Sequence, residues 1–258
     1  MSTVIYPSPI FGPVQSRRLG VSLGINLLPA DGKVCSFDCV YCECGLNAQR
    51  RPKKPLPTIE ELHTALEETL IRMKGEGRMP DVLTFAGNGE PTVHPKFPAA
   101  VDCVIELRDT YCPNAKVSVL SNATRIDRPE VREALMRVDN NILKLDTVNQ
   151  EYIQRTDQPQ GSYDVEKVIE DMCRFEGNCI IQTLFMQGES EGVNYDNTSA
   201  QYVAPWIAAL QRIKPRQVMI YTIDRETPVQ GLQKATPEQL DSIAAQVRAL
   251  GIDTSVSY

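Results

Sequence analysis

The sequence predicts an α/β fold: an open, partial barrel in which a parallel sheet of six βα units carries its helices on the outside. Three observations lead there. Short apolar runs rich in Val, Ile and Leu alternate with segments of helical period, the pattern of a parallel sheet covered by helices. Six such units can be counted in the 258 residues, too few for a closed eight-stranded barrel. No linker, low-complexity tract or internal repeat interrupts them, so residues 1–258 are expected to form one domain. Residues 1–20 read as an N-terminal extension, and 224–258 as a C-terminal one holding the last helix.

The elements follow in order. Val21, Leu23, Ile25 and Leu27 recur at period two and read as the first strand. A basic, proline-rich segment then leads to a helix. Thr58 and Glu61 make its capping box, Ile59, Leu62, Leu66, Leu70 and Met73 its apolar face, and Gly75 and Gly77 its end. A strand is expected over 81–87, a helix around 96–110, a strand over 116–122, a short helix from Pro129 to about Val138, and a strand over 141–147. Asp164 caps the next helix, with Val165, Val168, Ile169, Met172 and Phe175 on one face. A strand over 179–186, a helix through Trp206 and Leu210, and a strand over 217–223 complete the six units. Thr236 and Pro237 open a last helix that ends at Gly251, and a further short strand fits at 253–258.

The composition narrows the class. The chain carries a net charge of −6, which argues against a general nucleic-acid binder. Its first 54 residues are nevertheless basic. Arg17, Arg18, Lys33, Arg50, Arg51, Lys53 and Lys54 outnumber Asp31, Asp38 and Glu43 there. No apolar run approaches the roughly 18 residues of a membrane helix. Pro7, Pro9 and Pro13 stand where a secretory signal would be apolar. A cytoplasmic protein without a membrane partner is the expectation.

Four of the eight cysteines, Cys35, Cys39, Cys42 and Cys44, fall within ten residues. The other four are scattered singly and read as small core residues. Three thiolates at C-x3-C-x2-C spacing on one loop can each ligate one iron of a [4Fe–4S] cube, leaving the fourth iron open to a small molecule. Cys44 would numerically complete a four-ligand zinc set, although such a set within ten residues is cramped and lacks a second pair or a histidine. A non-catalytic zinc or Fe–S binding module therefore stands as the alternative class.

The segment Cys35-Ser-Phe-Asp-Cys39-Val-Tyr-Cys42 resembles the signature of the radical SAM superfamily. The blocks IFGPVQSRRLGVSLGINLLP (10–29) and GNGEPT (87–92) are similar to those of the small Fe–S oxidoreductase group related to wybutosine-type tRNA-modifying enzymes. This resemblance implies a partial (βα)6 barrel of radical SAM type. It also implies a [4Fe–4S] cluster on Cys35, Cys39 and Cys42, with S-adenosylmethionine (SAM) on the open iron. Reductive cleavage of SAM would give a 5′-deoxyadenosyl radical that abstracts hydrogen from a substrate. The electron would come from a flavodoxin- or ferredoxin-like donor. tRNA or nucleotide modification, activation of a glycyl-radical protein and small-molecule chemistry are the competing specific roles.

By the same resemblance Tyr41 lies by the adenine, and Gly87, Asn88, Gly89 and Glu90 hold the methionyl amino group, with Asn88 replacing the first glycine of a strict Gly-Gly-Glu. Ser121 and Asn122 contact SAM from the end of the third predicted strand. Lys144 and Asp146, two apart on the fourth, face the barrel mouth together, either as an internal ion pair or as ligand contacts. Arg17, Arg18, Arg50, Arg51, Lys53 and Lys54 bracket the cysteine loop and either offset an anionic cluster or receive an anionic substrate or RNA. Thr222, Arg225 and Pro228 are placed near the substrate. His63 and His94 receive no catalytic role, and no catalytic side chain is assigned.

Overall fold

The computed structural model describes residues 3–16 and 19–258; Arg17 and Arg18 lie outside the described residues. One sheet organises the chain. Its strands are β1 (Ile10–Ser16), β2 (Gly20–Ile25), β3 (Val82–Phe85), β4 (Lys116–Ser121), β5 (Asn140–Lys144) and β6 (Ile180–Leu184), followed by β9 (Gln217–Tyr221) and β11 (Asp253–Ser257). They stand in the order β1-β2-β3-β4-β5-β6-β9-β11. β1 pairs antiparallel with β2, and every later pair is parallel. The parallel part curls into a half-barrel, as the alternation of strands and helices predicts.

The helices are α1 (Ile59–Gly75), α2 (Phe97–Tyr111), α3 (Pro129–Arg137), α4 (Gln150–Thr156), α5 (Val165–Cys173), α6 (Ala200–Ile213) and α7 (Pro237–Arg248). Capping boxes form at Thr58–Glu61 and Thr236–Gln239, and the Asp164 carboxylate accepts from Glu166 N and Lys167 N. Strand register sorts the side chains into two layers. Leu23, Ile25, Leu83, Phe85, Val117, Val119, Leu143, Ile181, Val218 and Ile220 join the main core, which also takes the apolar faces of the helices. Ile142, Ile180 and Met219 form a separate cluster with Leu19 and Leu120. Both faces of the strands are therefore packed, which is why their sequences read as unbroken apolar runs.

The short strand expected at 253–258 is present as β11, so seven strands run parallel. Three features depart from the sequence reading. Part of the N-terminal extension is β1. Residues 150–156 form α4, only seven residues long. The run 179–186 divides at Phe185: β6 ends at Leu184, and Met186–Ser190 becomes β7 of a small antiparallel sheet with β8 (Val193–Asn194) and β10 (Leu232–Lys234). The Asn197 side chain makes that division. It accepts Met186 N at 2.9 Å and donates to Leu184 O at 2.9 Å, closing the ladder where the strand leaves the sheet.

Trp206 anchors α6. Its ring is buried edge-on to Phe185, with centroids 5.4 Å apart, and its indole N–H donates to Leu145 O at 3.0 Å. Trp206→Ala is expected to lower stability by about 3–5 kcal/mol. Chemical unfolding followed by circular dichroism checks this, since the substitution removes the chain's single tryptophan.

Candidate active site

The cysteine loop leaves the C-terminal end of β2 and is stitched to the loop after β3. Val34 and Gly89 form a parallel bridge, with Val34 N donating to Asn88 O at 2.9 Å and Glu90 N to Val34 O at 3.1 Å. Gly89 sits at φ +131°, and a Cβ there would stand 2.0 Å from Val34 O. Only glycine allows this approach. The far side of the loop rests on α4. The carbonyls of Thr156 and Asp157, which the end of a short helix leaves unpaired, accept Val40 N and Asp38 N at 2.9 and 2.8 Å. Phe37 and Val40, both buried, key the loop into the apolar interior between the cysteines.

Inside the loop stands Lys33, 3% exposed. Its ammonium donates to Asp38 Oδ1 at 3.0 Å and to Gly45 O at 2.7 Å. Asp38 also accepts Asn47 N, and Asn47 Nδ2 donates to the carbonyls of Cys35 and Phe37. Burial opposes the charge on Lys33, but the sulfurs of Cys42, Cys35 and Cys39, with Asp38, outweigh it and raise its pKa. The thiols differ from one another. Contact with Cys44, with Lys33 nearby, lowers the pKa of Cys42. Burial pushes Cys35 up to about 12, with Glu90 adding to the shift, and holds Cys39, beside Asp157, well above the usual thiol range.

Tyr41 points its hydroxyl into a buried polar cluster. It donates to Asp146, meets Lys144, and lies 3.3 Å from Asp157. Lys144 in turn bridges Asp146 and Asp157, the latter at 2.9 Å. The internal ion pair is thus the arrangement of Lys144 and Asp146. Burial works against the ammonium, yet the two carboxylates keep the pKa of Lys144 well above its usual range. Asp157 is the member that sequence reasoning missed. It ends a helix too short to show a period, and nothing in the pattern marks it as buried.

Glu90, also buried, joins the ends of β3 and β4. Its Oε1 accepts from Thr92 N, Thr92 Oγ1 and Ser121 Oγ, and its Oε2 from Asn122 N at 2.6 Å. Asn122 reaches back to the cysteine loop, donating to Ser36 Oγ at 2.9 Å and toward Cys35 Sγ at 3.6 Å. The Asn88 side chain has another task. Fully buried, it accepts Tyr6 N and donates to the carbonyls of Tyr6 and Pro29, pinning the N-terminal segment. Gly87 O accepts both Gly89 N and the Cys44 thiol.

Arg225, placed near the substrate by the sequence, instead clasps the loop. It donates to Glu43 at 2.6 Å and to the Tyr6 hydroxyl at 2.8 Å. Thr222 is buried and accepts Ala235 N, and Pro228 is buried as well. Arg50 is tied to Thr3, while Arg51, Lys53 and Lys54 are exposed. His94 bonds to Lys96 N and to Pro57 O, 37 residues away, and His63 is half-buried on α1 beside Glu67.

Among the described residues no three His, Cys, Asp or Glu side chains converge closely enough for one metal ion. A [4Fe–4S] cube makes a different demand, because each thiolate goes to a different iron. Three thiols on one anchored loop, with a buried ammonium in the field of all three, suit that group.

Comparisons with known proteins agree with this architecture. The model of the radical SAM superfamily matches residues 31–193, from the entry of the cysteine loop through β8. The chain is 30% identical over 223 residues to a UPF0026 protein of Helicobacter pylori, covering 85% of this chain and 67% of that one. Among solved structures, a radical SAM methyltransferase from Sphaerobacter thermophilus superposes with a TM-score of 0.66 at 18% identity, over 92% of this chain and 66% of that one. TYW1 with a lysine-pyruvate adduct bound gives 0.59 at 12% identity, over 88% and 73%. The chain thus spans about two thirds of the length of the first two. With its cysteine loop, its half-barrel and the match over most of its length, the chain belongs to the radical SAM superfamily.

Proposed function

We propose that residues 1–258 form one radical SAM domain that cleaves SAM reductively and acts on a substrate held over the barrel mouth. The observation that carries this reading is the Val34–Gly89 bridge, which sets the three-cysteine loop beside Glu90 and Asn122 at the strand ends, where ligands of parallel sheets gather. When bound, the cluster and SAM supply a 5′-deoxyadenosyl radical that takes hydrogen from the substrate.

The chain's own residues then have separable tasks. Cys35, Cys39 and Cys42 supply the thiolates. Glu90 Oε1 is saturated by three donors while Oε2 accepts one, so Oε2 keeps capacity for an ammonium. The carbonyls of Gly87 and Asn88 are engaged within the protein, which leaves the Gly89 carbonyl, among the described hydrogen bonds, to face the same ammonium. Asn88 contributes by holding the backbone in place. Ser121 orients Glu90, and Asn122 joins Glu90 to the cysteine loop. Tyr41, Lys144 and Asp146 form the polar wall on the β5 side.

The substrate is read as anionic or RNA from the exposed Arg51, Lys53 and Lys54 beside the loop. A lysine adduct of the kind named for the TYW1 structure requires a neutral amine. Lys33 and Lys144 are both held protonated by carboxylates, which argues against that chemistry at either. A flavodoxin- or ferredoxin-like donor in the cytoplasm would supply the electron.

Anaerobic reconstitution with iron and sulfide, then dithionite and SAM, is expected to give a [4Fe–4S] EPR signal and 5′-deoxyadenosine. Loss of both would refute the proposal. Alanine at Cys35, Cys39 or Cys42 is expected to abolish the cluster, whereas Cys44→Ala retains it; loss of the cluster in Cys44→Ala would favour four-cysteine ligation.

Glu90→Gln sets an amide N–H against Asn122 N–H. It is expected to weaken SAM binding roughly tenfold or more and to lower stability by about 1–3 kcal/mol. Calorimetric titration of the reconstituted protein and chemical unfolding measure the two effects.

A further inference from the structure

Lysine is almost never fully buried unless it is paired, and Lys33 is buried where a neutral donor would serve to tie the loop. Its side chain is 1% exposed and faces one carboxylate, that of Asp38. Asp38 Oδ1 is shared in turn with Asn47 N. An ammonium has three donors. Two go to Asp38 and to Gly45 O, which lies one turn beyond Cys42, whose own carbonyl accepts Gly45 N at 2.9 Å. The segment from Asp38 to Gly45, which carries Cys39 and Cys42, is therefore wrapped around this one nitrogen.

The charges bordering the other two thiols differ. Cys35 lies in the field of Glu90, with Lys33 also acting on it, and Cys39 in that of Asp157 and Lys144. Lys144 is divided between Asp146 and Asp157, whereas among the described residues Lys33 has Asp38 alone as its carboxylate partner. Of the two cations, Lys33 is the more buried and the less neutralised. Reduction of a thiolate-held cluster adds a negative charge to an already anionic group. A cation buried beside it stabilises that extra charge, and hydrogen bonds to the ligating sulfurs act in the same direction.

We infer that Lys33 is a tuning residue for the cluster: its ammonium, buried inside the cysteine loop and positioned by Asp38 and the Gly45 carbonyl, raises the reduction potential. This rests on the proposed cluster, and it assigns to Lys33 and Asp38 a task beyond ligation. Asp38 moderates the effect, since its carboxylate offsets part of the field.

The test is a redox titration of the reconstituted protein, followed by the EPR signal of the reduced cluster. Lys33→Met keeps the length of the side chain and removes the charge, and is expected to shift the midpoint potential to more negative values. Asp38→Asn keeps an acceptor for Lys33 and Asn47 and removes the counter-charge, and is expected to shift it the opposite way. Lys33→Arg should stay close to the wild type. General damage to the loop would not produce shifts of opposite sign. Unchanged potentials in both variants, or shifts in one direction, overturn the inference. If Lys33→Met holds no cluster, Asp38→Asn decides alone: a positive shift supports the tuning role, and no shift or a negative one overturns it. A wild-type chain that assembles no cluster would instead bring down the underlying reading, and the inference with it.

Discussion

The main-chain bridge between Val34 and Gly89 is the contact on which the site depends. A loop carrying three thiols has no regular structure of its own, so it must borrow rigidity from the sheet. The bridge lends it one further rung at the end of β3. It is available only because Gly89 has no Cβ to meet the Val34 carbonyl. The glycines of the Gly-Asn-Gly-Glu segment are thus explained by close approach of backbones, and Glu90 follows immediately, aimed at the end of β4. Any ligand chemistry at Glu90 is built on this packing.

Charge is the second constraint. The described site buries Lys33, Asp38, Asp146, Asp157 and Glu90, with the half-buried Lys144, within a few elements of one another. Ions removed from water are tolerable only when partners replace the lost hydration. The ion pairs Lys33–Asp38 and Lys144–Asp146–Asp157 meet that need for five of them. Glu90 is satisfied by four neutral donors instead, so burial dominates and its carboxyl is held above the usual range. Among the described residues this arrangement leaves Glu90 as the buried carboxylate without a cation, which is the environment in which a positively charged ligand gains most.

How much of this was legible follows from which signals are local. The six apolar strands, the capping box at Thr58, the helix start at Thr236 and the cysteine spacing are written in neighbouring residues, and the structure contains them. β1 escaped because Gly12 and Pro13 break its alternation. α4 escaped because seven residues do not establish a helical period. The role of Asn88 was hidden for a different reason: its partners, Tyr6 and Pro29, lie 82 and 59 residues away. Lys144 and Asp146 were legible as a pair sharing one face, but Asp157, their common neighbour, comes from another element and carries no mark in the pattern.

The same non-locality governs the integrity of the site. Glu43, between two cysteines, is held by Tyr6 from the beginning of the chain and by Arg225 from beyond β9; the Arg225–Tyr6 contact joins residues 219 positions apart. Each of these surface contacts is worth little alone. Together they fasten the cysteine loop to the segment before β1 and to the segment after β9, in addition to the bridge from β3 and the carbonyls at the end of α4. The loop therefore reaches its final shape only when the whole sheet has formed. A ligand that binds this shape and not the unfolded chain stabilises the entire fold by mass action, so the loop, although irregular, is thermodynamically coupled to the core.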